Sequence, residues 1–406
     1  MAWATLSLRY PRLWCHENLP AVVRTQMTPT NSTIPVSRRS FLGHAAGGFA
    51  AASAVPALAA RRAQADDTIA FFVVGDTHFF ADAESPDRLL AQSAAVTGAL
   101  VDRLNELPGT EIVERAGGGA VRKPFGVIHA GDVIDTGDKQ GKLQDAMQRT
   151  EMAGFERTMG LTGEDGGLAY AVYEVHGNHD GPAGKGPAIE RIIERNKARP
   201  RVDHISPNGL HYAWDVGDVR FVNLGIVVGS VPGITRRRRY APLESLGFLV
   251  TDLREKVGDS GRPVVITHHV DIARYTAPVP ADAPFADKEW DPADVGGFFA
   301  ALRGFNVAAV FYGHTHARNV WRWDGTACRP AGESLPEGVD GESPREIDVF
   351  NVDNSSHFAG PAQAVFYVEL GPDGLAVREY ATKDAWQTGF WSPLVWRRPP
   401  ATVAAS

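Results

Sequence analysis

Aspartate, asparagine and histidine recur in five short clusters, each of which directly follows an apolar run. The clusters are Gly75-Asp76-Thr77-His78, Gly131-Asp132-Val133-Ile134-Asp135, Gly177-Asn178-His179-Asp180, Thr267-His268-His269 and Gly313-His314-Thr315-His316. Carboxylate, amide oxygen and imidazole are ligands that suit manganese, iron, zinc and similar cations. Two cations about 3.5–4 Å apart, joined by one carboxylate, activate water for hydrolysis. The residue types therefore predict a metal centre built from all five clusters.

The apolar runs before the clusters predict buried strands, because they are too continuously apolar for a strand with one solvated face. The predicted strands are 68–74, 125–129, 170–175, 211–216, 219–226, 263–267 and 307–312. Helical spacing of apolar residues predicts helices over 87–107, 142–158, 188–197, 243–256 and 292–303. Short runs between 320 and 381 are typical of an outer meander. Strand and helix alternate, which indicates an α/β layered architecture with the clusters at the strand ends.

The five clusters, in this order, resemble the calcineurin-like metallophosphoesterase superfamily, whose pattern is D-x-H, G-D-x-x-D, G-N-H-D/E, a lone His after a strand, and G-H-x-H. The resemblance extends from Asp76 to His316, which is most of the mature chain. It implies a four-layer αββα sandwich of two mixed β-sheets flanked by helices. It also implies a dinuclear metal site at the strand ends.

The resemblance assigns a role to each matching residue. One metal would be held by Asp76, His78 and His316, the other by Asn178, His268 and His314, and Asp132 would bridge them. The two ions would be divalent or trivalent transition metals such as manganese, iron or zinc. His269 remains open as a replacement for His268. His179 would stand beside the metals as a proton donor or a charge stabiliser, with Asp135 orienting it.

By this resemblance the chain is a hydrolase of phosphoric ester bonds, in which a hydroxide bridging the metals attacks phosphorus in line. Purple acid phosphatases carry Tyr at the place of Asp135, and Ser/Thr protein phosphatases carry Arg at the place of Thr136, so neither subfamily matches. A small phosphate mono- or diester is the expected substrate, and a lipid-like ester stays open. The alternative is a catalytically inactive periplasmic binding or scaffold protein that keeps this fold.

An export signal is predicted before the catalytic domain. The segment Ser37-Arg38-Arg39-Ser40-Phe41-Leu42, a modest apolar run and Ala57-Leu58-Ala59 together resemble a bacterial twin-arginine (Tat) signal. That resemblance implies a periplasmic or secreted protein, exported folded by the Tat translocase. We expect residues 1–65 to be signal and spacer, 66–383 the metallophosphoesterase domain and 384–406 a tail. Met27 is the expected start, so residues 1–26 would not be translated.

Composition limits the remaining possibilities. The net charge of −7 argues against nucleic acid as a structural partner, and no apolar run reaches the roughly 18 residues that span a membrane. The cysteines, Cys15 and Cys328, are too few for a disulfide framework. The run Arg236–Arg239 is either a solvated loop or an anion-guiding lip, and loop 273–291, with Tyr275, Phe285 and Trp290, is a candidate aromatic wall. His129, His176 and His211 are expected in the core, and His204 and His357 in loops, with His357 able to approach the cleft.

Overall fold

Two mixed β-sheets form the centre of the structure, and helices cover their outer faces. The computed structural model describes residues 67–230, 240–275, 289–331 and 346–399, all within the unit Arg61–Ser406. The strands are β1 (Ile69–Val74), β2 (Ala81–Asp82), β3 (Ser85–Leu89), β4 (Gly126–His129), β5 (Ala171–Glu174), β6 (Val202–Ile205), β7 (Tyr212–Val216), β8 (Val219–Asn223), β9 (Pro263–Thr267), β10 (Asn306–Tyr312), β11 (Asn319–Trp323), β12 (Cys328–Pro330), β13 (Ile347–Asn351), β14 (Gln363–Gly371), β15 (Gly374–Thr382) and β16 (Phe390–Arg398). The helices are α1 (Ala91–Glu106), α2 (Lys142–Met159), α3 (Pro187–Ala198), α4 (Ser245–Asp252) and α5 (Pro292–Leu302).

Both large sheets combine parallel and antiparallel strands. The first has the order β16-β15-β14-β1-β4-β5, in which β1, β4 and β5 are parallel. The second has the order β12-β11-β13-β10-β9-β8-β7-β6, in which β13, β10, β9 and β8 are parallel. The carboxyl ends of parallel neighbours meet at one edge of a sheet, so the loops after these strands are brought together.

Alternate residues of each central strand enter different cores, as the period of two in a β-strand requires. In β1, Phe71 and Val73 belong to the core between the sheets, whereas Phe72 lies in the core beneath α1 and α2. In β9, Val265 points between the sheets and Ile266 points towards α5. Three apolar layers separated by two sheets make the four-layer αββα sandwich, and the predicted fold class is confirmed.

The described part of the segment expected to be a C-terminal tail, up to residue 399, belongs to the first sheet. Strand β16 pairs antiparallel with β15, and Trp391 and Trp396 are buried. Trp386, between the two strands, is also buried. The chain therefore remains part of the sandwich beyond 383, because β16 pairs with the main-chain edge of β15 and its large aromatic side chains enter the cores on both faces of the sheet.

Two other details differ from the sequence-based reading. The expected outer meander is divided between the sheets: β11 to β13 extend the second sheet, whereas β14 to β16 extend the first. The helix expected from 87 is shorter, since Ser85–Leu89 pairs with β2 and α1 begins at Ala91. Among the helices that the structure describes, none is both long and apolar enough to cross a membrane.

Candidate metal centre

The predicted ligand residues lie in loops that leave the carboxyl ends of parallel strands. Asp76 and His78 follow β1, Asp132 follows β4, and Asn178 follows β5. Main-chain hydrogen bonds join the first two loops: the N–H of Asp76 donates to Gly131 O (3.0 Å), and the N–H of His78 donates to Asp132 O (3.1 Å). The second sheet supplies the loops after β9 and β10. The site is therefore formed where both sheets end.

Five of the predicted ligands have a backbone conformation that side-chain-bearing residues rarely adopt. The φ angles are 53° for Asp76, 44° for His78, 52° for Asp132, 80° for His314 and 52° for His316. A positive φ costs a residue other than glycine on the order of 1 kcal/mol or more, and such residues concentrate at functional sites. The turns are held in this form because it aims the side chains of alternate residues at a common point.

Glycines in the same loops let the chain approach these side chains. A Cβ atom on Gly177 would lie 2.2 Å from Asp132 Oδ1, and one on Gly313 would lie 2.4 Å from Asp76 Oδ2. Both distances are far below a van der Waals contact. The glycine that opens each of these clusters is therefore required by close packing of the backbone against a buried carboxylate.

The Asp76 cluster consists of Asp76, His78 and His316. The Nε2 atoms of His78 and His316 are 3.1 Å apart, and Asp76 Oδ1 lies 3.5 Å from His316 Nε2. His78 directs its other nitrogen, Nδ1, to Asp135 Oδ1 at 3.2 Å, which places the proton of the neutral ring on Nδ1. Its Nε2 lone pair then faces the other acceptors. Burial, followed by the nearby His78, lowers the pKa of His316 to about 2, so this ring is a neutral ligand type.

The His269 cluster consists of Asp132, Asn178, His269 and His314. His269 donates from Nδ1 to Ala130 O at 2.8 Å, and its Nε2 lies 3.1 Å from Asp132 Oδ2 and 3.2 Å from Asn178 Oδ1. The rings of His269 and His314 are 5.2 Å apart between centroids. With the proton of the neutral ring on Nδ1, three acceptor atoms converge on one point.

Acceptor atoms that converge on one point need a positive charge between them. The pKa values of His269 and Asp132 therefore test whether these residues fit a cation. Burial alone would lower the pKa of His269, but Asp132 and its hydrogen bond outweigh burial and raise that pKa to about 9. Likewise, burial would raise the pKa of Asp132, yet the surrounding imidazoles, His269 first, hold it well below its usual value. The pocket thus stabilises a positive charge beside Asp132, and a bound metal ion would supply such a charge. The oxygen and imidazole ligands suit a transition metal.

One oxygen of Asp132 lies between the two clusters. Asp132 Oδ2 lies 3.1 Å from His269 Nε2 and 3.7 Å from His78 Nε2. Its partner oxygen, Oδ1, accepts the main-chain N–H of His179 at 2.7 Å, which fixes the orientation of the carboxylate. A shared carboxylate oxygen between two ligand sets is the arrangement that a bridged pair of cations needs.

His268 does not join either cluster, and this corrects the choice made from the family pattern. Its ring packs against Trp290 and Tyr312, both with centroids at 5.3 Å, and burial lowers its pKa to about 3. His268 continues the face of β9 that carries Ile266, so it points towards α5. His269 has the other parity and points between the sheets. The alternation of β9 places the two histidines on opposite faces, but which face meets α5 is set by packing between distant segments, which alignment to the motif does not include.

Asp135 also has a different partner from the one expected. Its carboxylate pairs with His78, at 3.2 Å, and with Lys139, at 2.9 Å. His179 instead directs Nδ1 to the main-chain oxygen of Asp135 at 3.0 Å. Asp135 therefore orients His78 through its side chain and His179 through its backbone.

Two residues beside the clusters were missed or left open by the sequence. The ring centroid of His357 lies 4.8 Å from that of His78 and 4.9 Å from that of His316. Glu289 Oε2 lies 3.3 Å from His314 Nε2. Neither residue belongs to a cluster of the family pattern, and both approach the site only through the folding of distant segments.

Other candidates fall outside the site or outside the described residues. Arg236–Arg239 and residues 276–288 of loop 273–291 are not among the residues that the structure describes. Trp290 of that loop is fully buried, and its Nε1–H donates to Asp271 O at 3.0 Å, so it is part of the core beside α5. His129, His176 and His211 are buried, as expected.

Comparison with solved structures finds distant similarities. A purple acid phosphatase from yellow lupin (Lupinus luteus) seeds aligns with a TM-score of 0.41 and 12% identity over 84% of this chain, and this chain covers 57% of that one. The calcineurin-like phosphoesterase YfkN from Bacillus subtilis aligns with a TM-score of 0.32 and 11% identity, over 81% of this chain and 90% of that one. A metallophosphoesterase from Sphaerobacter thermophilus aligns with a TM-score of 0.27 and 14% identity, over 80% of this chain and 88% of that one.

The search among curated proteins found no match to this sequence. The sequence pattern of the calcineurin-like phosphoesterase family, in contrast, matches residues 69–318, more than half of the chain. That range begins with β1 and ends just after the loop of His314 and His316, and so contains both clusters. The enzyme class predicted from the sequence, a hydrolase of phosphoric ester bonds, is confirmed by this match, and the chain belongs to the calcineurin-like phosphoesterase family.

Proposed function

We propose that this protein hydrolyses a small phosphate mono- or diester with two transition-metal ions. The observation that carries the proposal is the position of Asp132 Oδ2 between two sets of ligand-type atoms. Asp76, His78 and His316 would hold one cation, Asn178, His269 and His314 the other, and Asp132 both. When bound, such a pair of cations polarises phosphoryl oxygens and lowers the pKa of water.

His179 is the residue we assign to proton transfer. It donates from Nδ1 to Asp135 O, so Nε2 is the nitrogen that can gain and deliver a proton. Its ring lies 4.9 Å from that of His78 between centroids, and its side chain is 28% exposed, at the border between the cluster and solvent. A phosphate ester at the cations would present its leaving-group oxygen to solvent, where this ring can protonate it.

The proposal is tested with the full chain and two nitrophenyl substrates. Purified protein is loaded with manganese and given 4-nitrophenyl phosphate and bis(4-nitrophenyl) phosphate, with Asp132→Asn as the matched control. We expect turnover of at least one ester, loss of that turnover with a chelator, and recovery on return of manganese. A wild-type protein that binds two equivalents of metal and turns over neither ester would instead be the inactive binding or scaffold protein, and the proposal would fail.

Export by the Tat translocase to the periplasm or medium is also proposed, on the strength of Arg38-Arg39 and the apolar run that follows. These residues lie outside the part of the chain that the structure describes. Replacing both arginines with lysine should keep the protein in the cytoplasm, as measured by cell fractionation. Equal export of both forms would reject this route.

A further inference from the structure

The loop from Asp353 to Gln363 is fastened to the turn that carries Asp76. Ser355 makes two contacts to this turn: its N–H donates to Gly75 O (2.8 Å), and its Oγ accepts the N–H of Gly75 (3.0 Å). Its own carbonyl accepts Trp386 Nε1–H (2.7 Å). Ser355 and Ser356 are fully buried. A loop fixed on the ligand turn through its main chain holds the next residues at a set place over the Asp76 cluster.

His357 is the residue that this loop presents. A second set of contacts holds the loop beyond it: Gln363 Nε2 donates to His357 O at 3.1 Å, and Phe358 stacks on Phe80 with ring planes 4° apart. One ring nitrogen of His357 lies within 4.8 Å of ligand nitrogens of His78 and His316. The position of His357 is therefore fixed by contacts of the residues before it and after it in the loop.

The protonation of His357 is set by a backbone donor. The N–H of Ala359 donates to His357 Nδ1 at 3.1 Å. A main-chain N–H can only donate, so Nδ1 carries the lone pair and the proton of the neutral ring is on Nε2. A protonated Nε2 cannot be a metal ligand. With Nδ1 accepting the N–H of Ala359 and Nε2 carrying the proton, neither nitrogen of the neutral ring offers a free lone pair, so His357 groups with His78 and His316 without being a third imidazole ligand.

The same bond excludes proton transfer by this ring. A neutral imidazole would have to become an anion to give up its Nε2 proton, and gaining a second proton would put a hydrogen on Nδ1, against the N–H of Ala359. His179 has the opposite arrangement, with Nδ1 bound to a carbonyl oxygen. The ring centroids of His179 and His357 lie 4.9 Å and 4.8 Å from that of His78. In the neutral rings the proton is on Nδ1 of His179 and on Nε2 of His357.

We infer that His357 binds the phosphoryl group of the substrate by donating Nε2–H to a non-bridging oxygen, as a fixed donor that takes no part in proton transfer. The inference rests on the proposed function. Phosphoryl oxygens gain charge as the leaving group departs, so a donor held in place by the fold stabilises the transition state without reorganising. A hydrogen bond to a charged oxygen of this kind contributes a factor of about 10 to 100 in rate or affinity.

The test compares His357→Ala with His357→Gln, whose neutral amide also donates. Metal content, the thermal unfolding midpoint and the kinetics with a series of aryl phosphate esters of different leaving-group pKa are measured for each. We expect two bound metals in all proteins and a fall of about 10- to 100-fold in kcat/KM for the alanine variant, equal across the series, with partial recovery in the glutamine variant. His179→Ala should instead lose most with the poorest leaving groups.

Binding of inorganic phosphate by calorimetry separates this inference from the proposed function. His357→Ala should weaken phosphate binding by about the same factor as it lowers kcat/KM. If the wild type binds phosphate but hydrolyses no ester, the proposed function fails while the phosphate affinities still decide the role of His357. Unchanged phosphate binding and kinetics in His357→Ala, or loss of one metal from it, would overturn the inference.

Discussion

Two buried carboxylates on neighbouring strands keep their charge in different ways. Glu174, at the end of β5, is clamped by Arg195 Nε at 2.7 Å and Arg199 Nη2 at 2.8 Å. Burial opposes its ionisation, but the arginines outweigh burial and lower the pKa of Glu174 to about 2. Asp132, after β4, faces imidazoles, whose charge depends on a bound proton or on a nearby cation.

The difference separates a structural ion pair from a binding site. Arginine carries its charge at every accessible pH, so the region around Glu174 is complete as folded. The region around Asp132 brings together acceptor atoms that repel one another unless a positive charge joins them. The strained backbone at Asp76, His78 and Asp132 also indicates a binding site, since such strain is concentrated at functional sites. Ligand dependence should therefore be confined to the second region.

The largest effect is expected from Asp132→Asn. The substitution keeps the shape of the side chain and removes the charge that both ligand sets share. We expect a loss of about 1000-fold or more in kcat/KM, because bound cations contribute several kcal/mol of transition-state stabilisation. Metal stoichiometry by elemental analysis should fall below two. Near-normal turnover with a full metal load would contradict the assignment.

The next prediction compares adjacent histidines. His269→Ala removes a ligand and should lower kcat/KM by roughly 100- to 1000-fold, with weaker binding of one metal. His268→Leu is the matched control, because that ring lies among Trp290, Phe298 and Tyr312 and leucine suits such surroundings. We expect the control to keep its metal and its activity. Loss of metal from the control, with retention in His269→Ala, would reverse the assignment.

His268 and His269 also show how much of the site could be predicted from the sequence. The five clusters, their order and the strands before them carry the family resemblance, and that resemblance implied the fold class and most of the residues that meet at the site. The choice between His268 and His269 needed the facing of β9, which follows from which of its residues pack against α5. That contact joins segments about 30 residues apart, and a motif aligned by spacing does not contain it.

Partners set by packing between distant segments were harder to predict. Asp135 was expected to orient His179, but which of two nearby imidazoles a carboxylate reaches depends on the paths of the turns after β1 and β5. His357 reaches the cluster because Ser355 binds Gly75, a contact across 280 positions. The segment that forms β16 was expected to be a tail; it contains Pro393, which an edge strand accommodates and a central strand does not.

A smaller effect is expected from Asp135→Asn. The carboxylate orients the ring of His78 through Nδ1, and partners of this kind affect metal affinity or activity by about 10- to 100-fold. We expect a fall in manganese affinity, measured by titration of the metal-free protein, and a matching fall in activity that excess manganese partly restores. Asp145→Asn in the first turn of α2 is the control. An unchanged manganese affinity would show that His78 is held without Asp135.

At the other carboxylate, Glu174, the expected effect is on the stability of the fold. The pKa of Glu174 is about 2 in the folded protein and ordinarily 4.5, so the unfolded chain binds more protons between these values. The clamp therefore stabilises the fold fully above about pH 5, by roughly 3 kcal/mol, and this contribution declines as the pH falls towards 2. Urea unfolding at pH 7 and pH 3 measures this decline as the change in the stability difference between the wild type and Glu174→Gln.

Glu174→Gln removes the titrating group and leaves Arg195 and Arg199 without a buried counter-charge. We expect the variant to lose about 3–5 kcal/mol at pH 7, and we expect its stability difference from the wild type to narrow as the pH falls from 5 to 3. The raised pKa values of Asp180 and Glu151, both about 7, contribute a stability change in the opposite direction, but equally to both proteins. Chelation should leave the difference between the two proteins unaltered. If removing the metal abolished that difference, the arginine clamp would depend on the cation site, and the separation of the two regions would not hold.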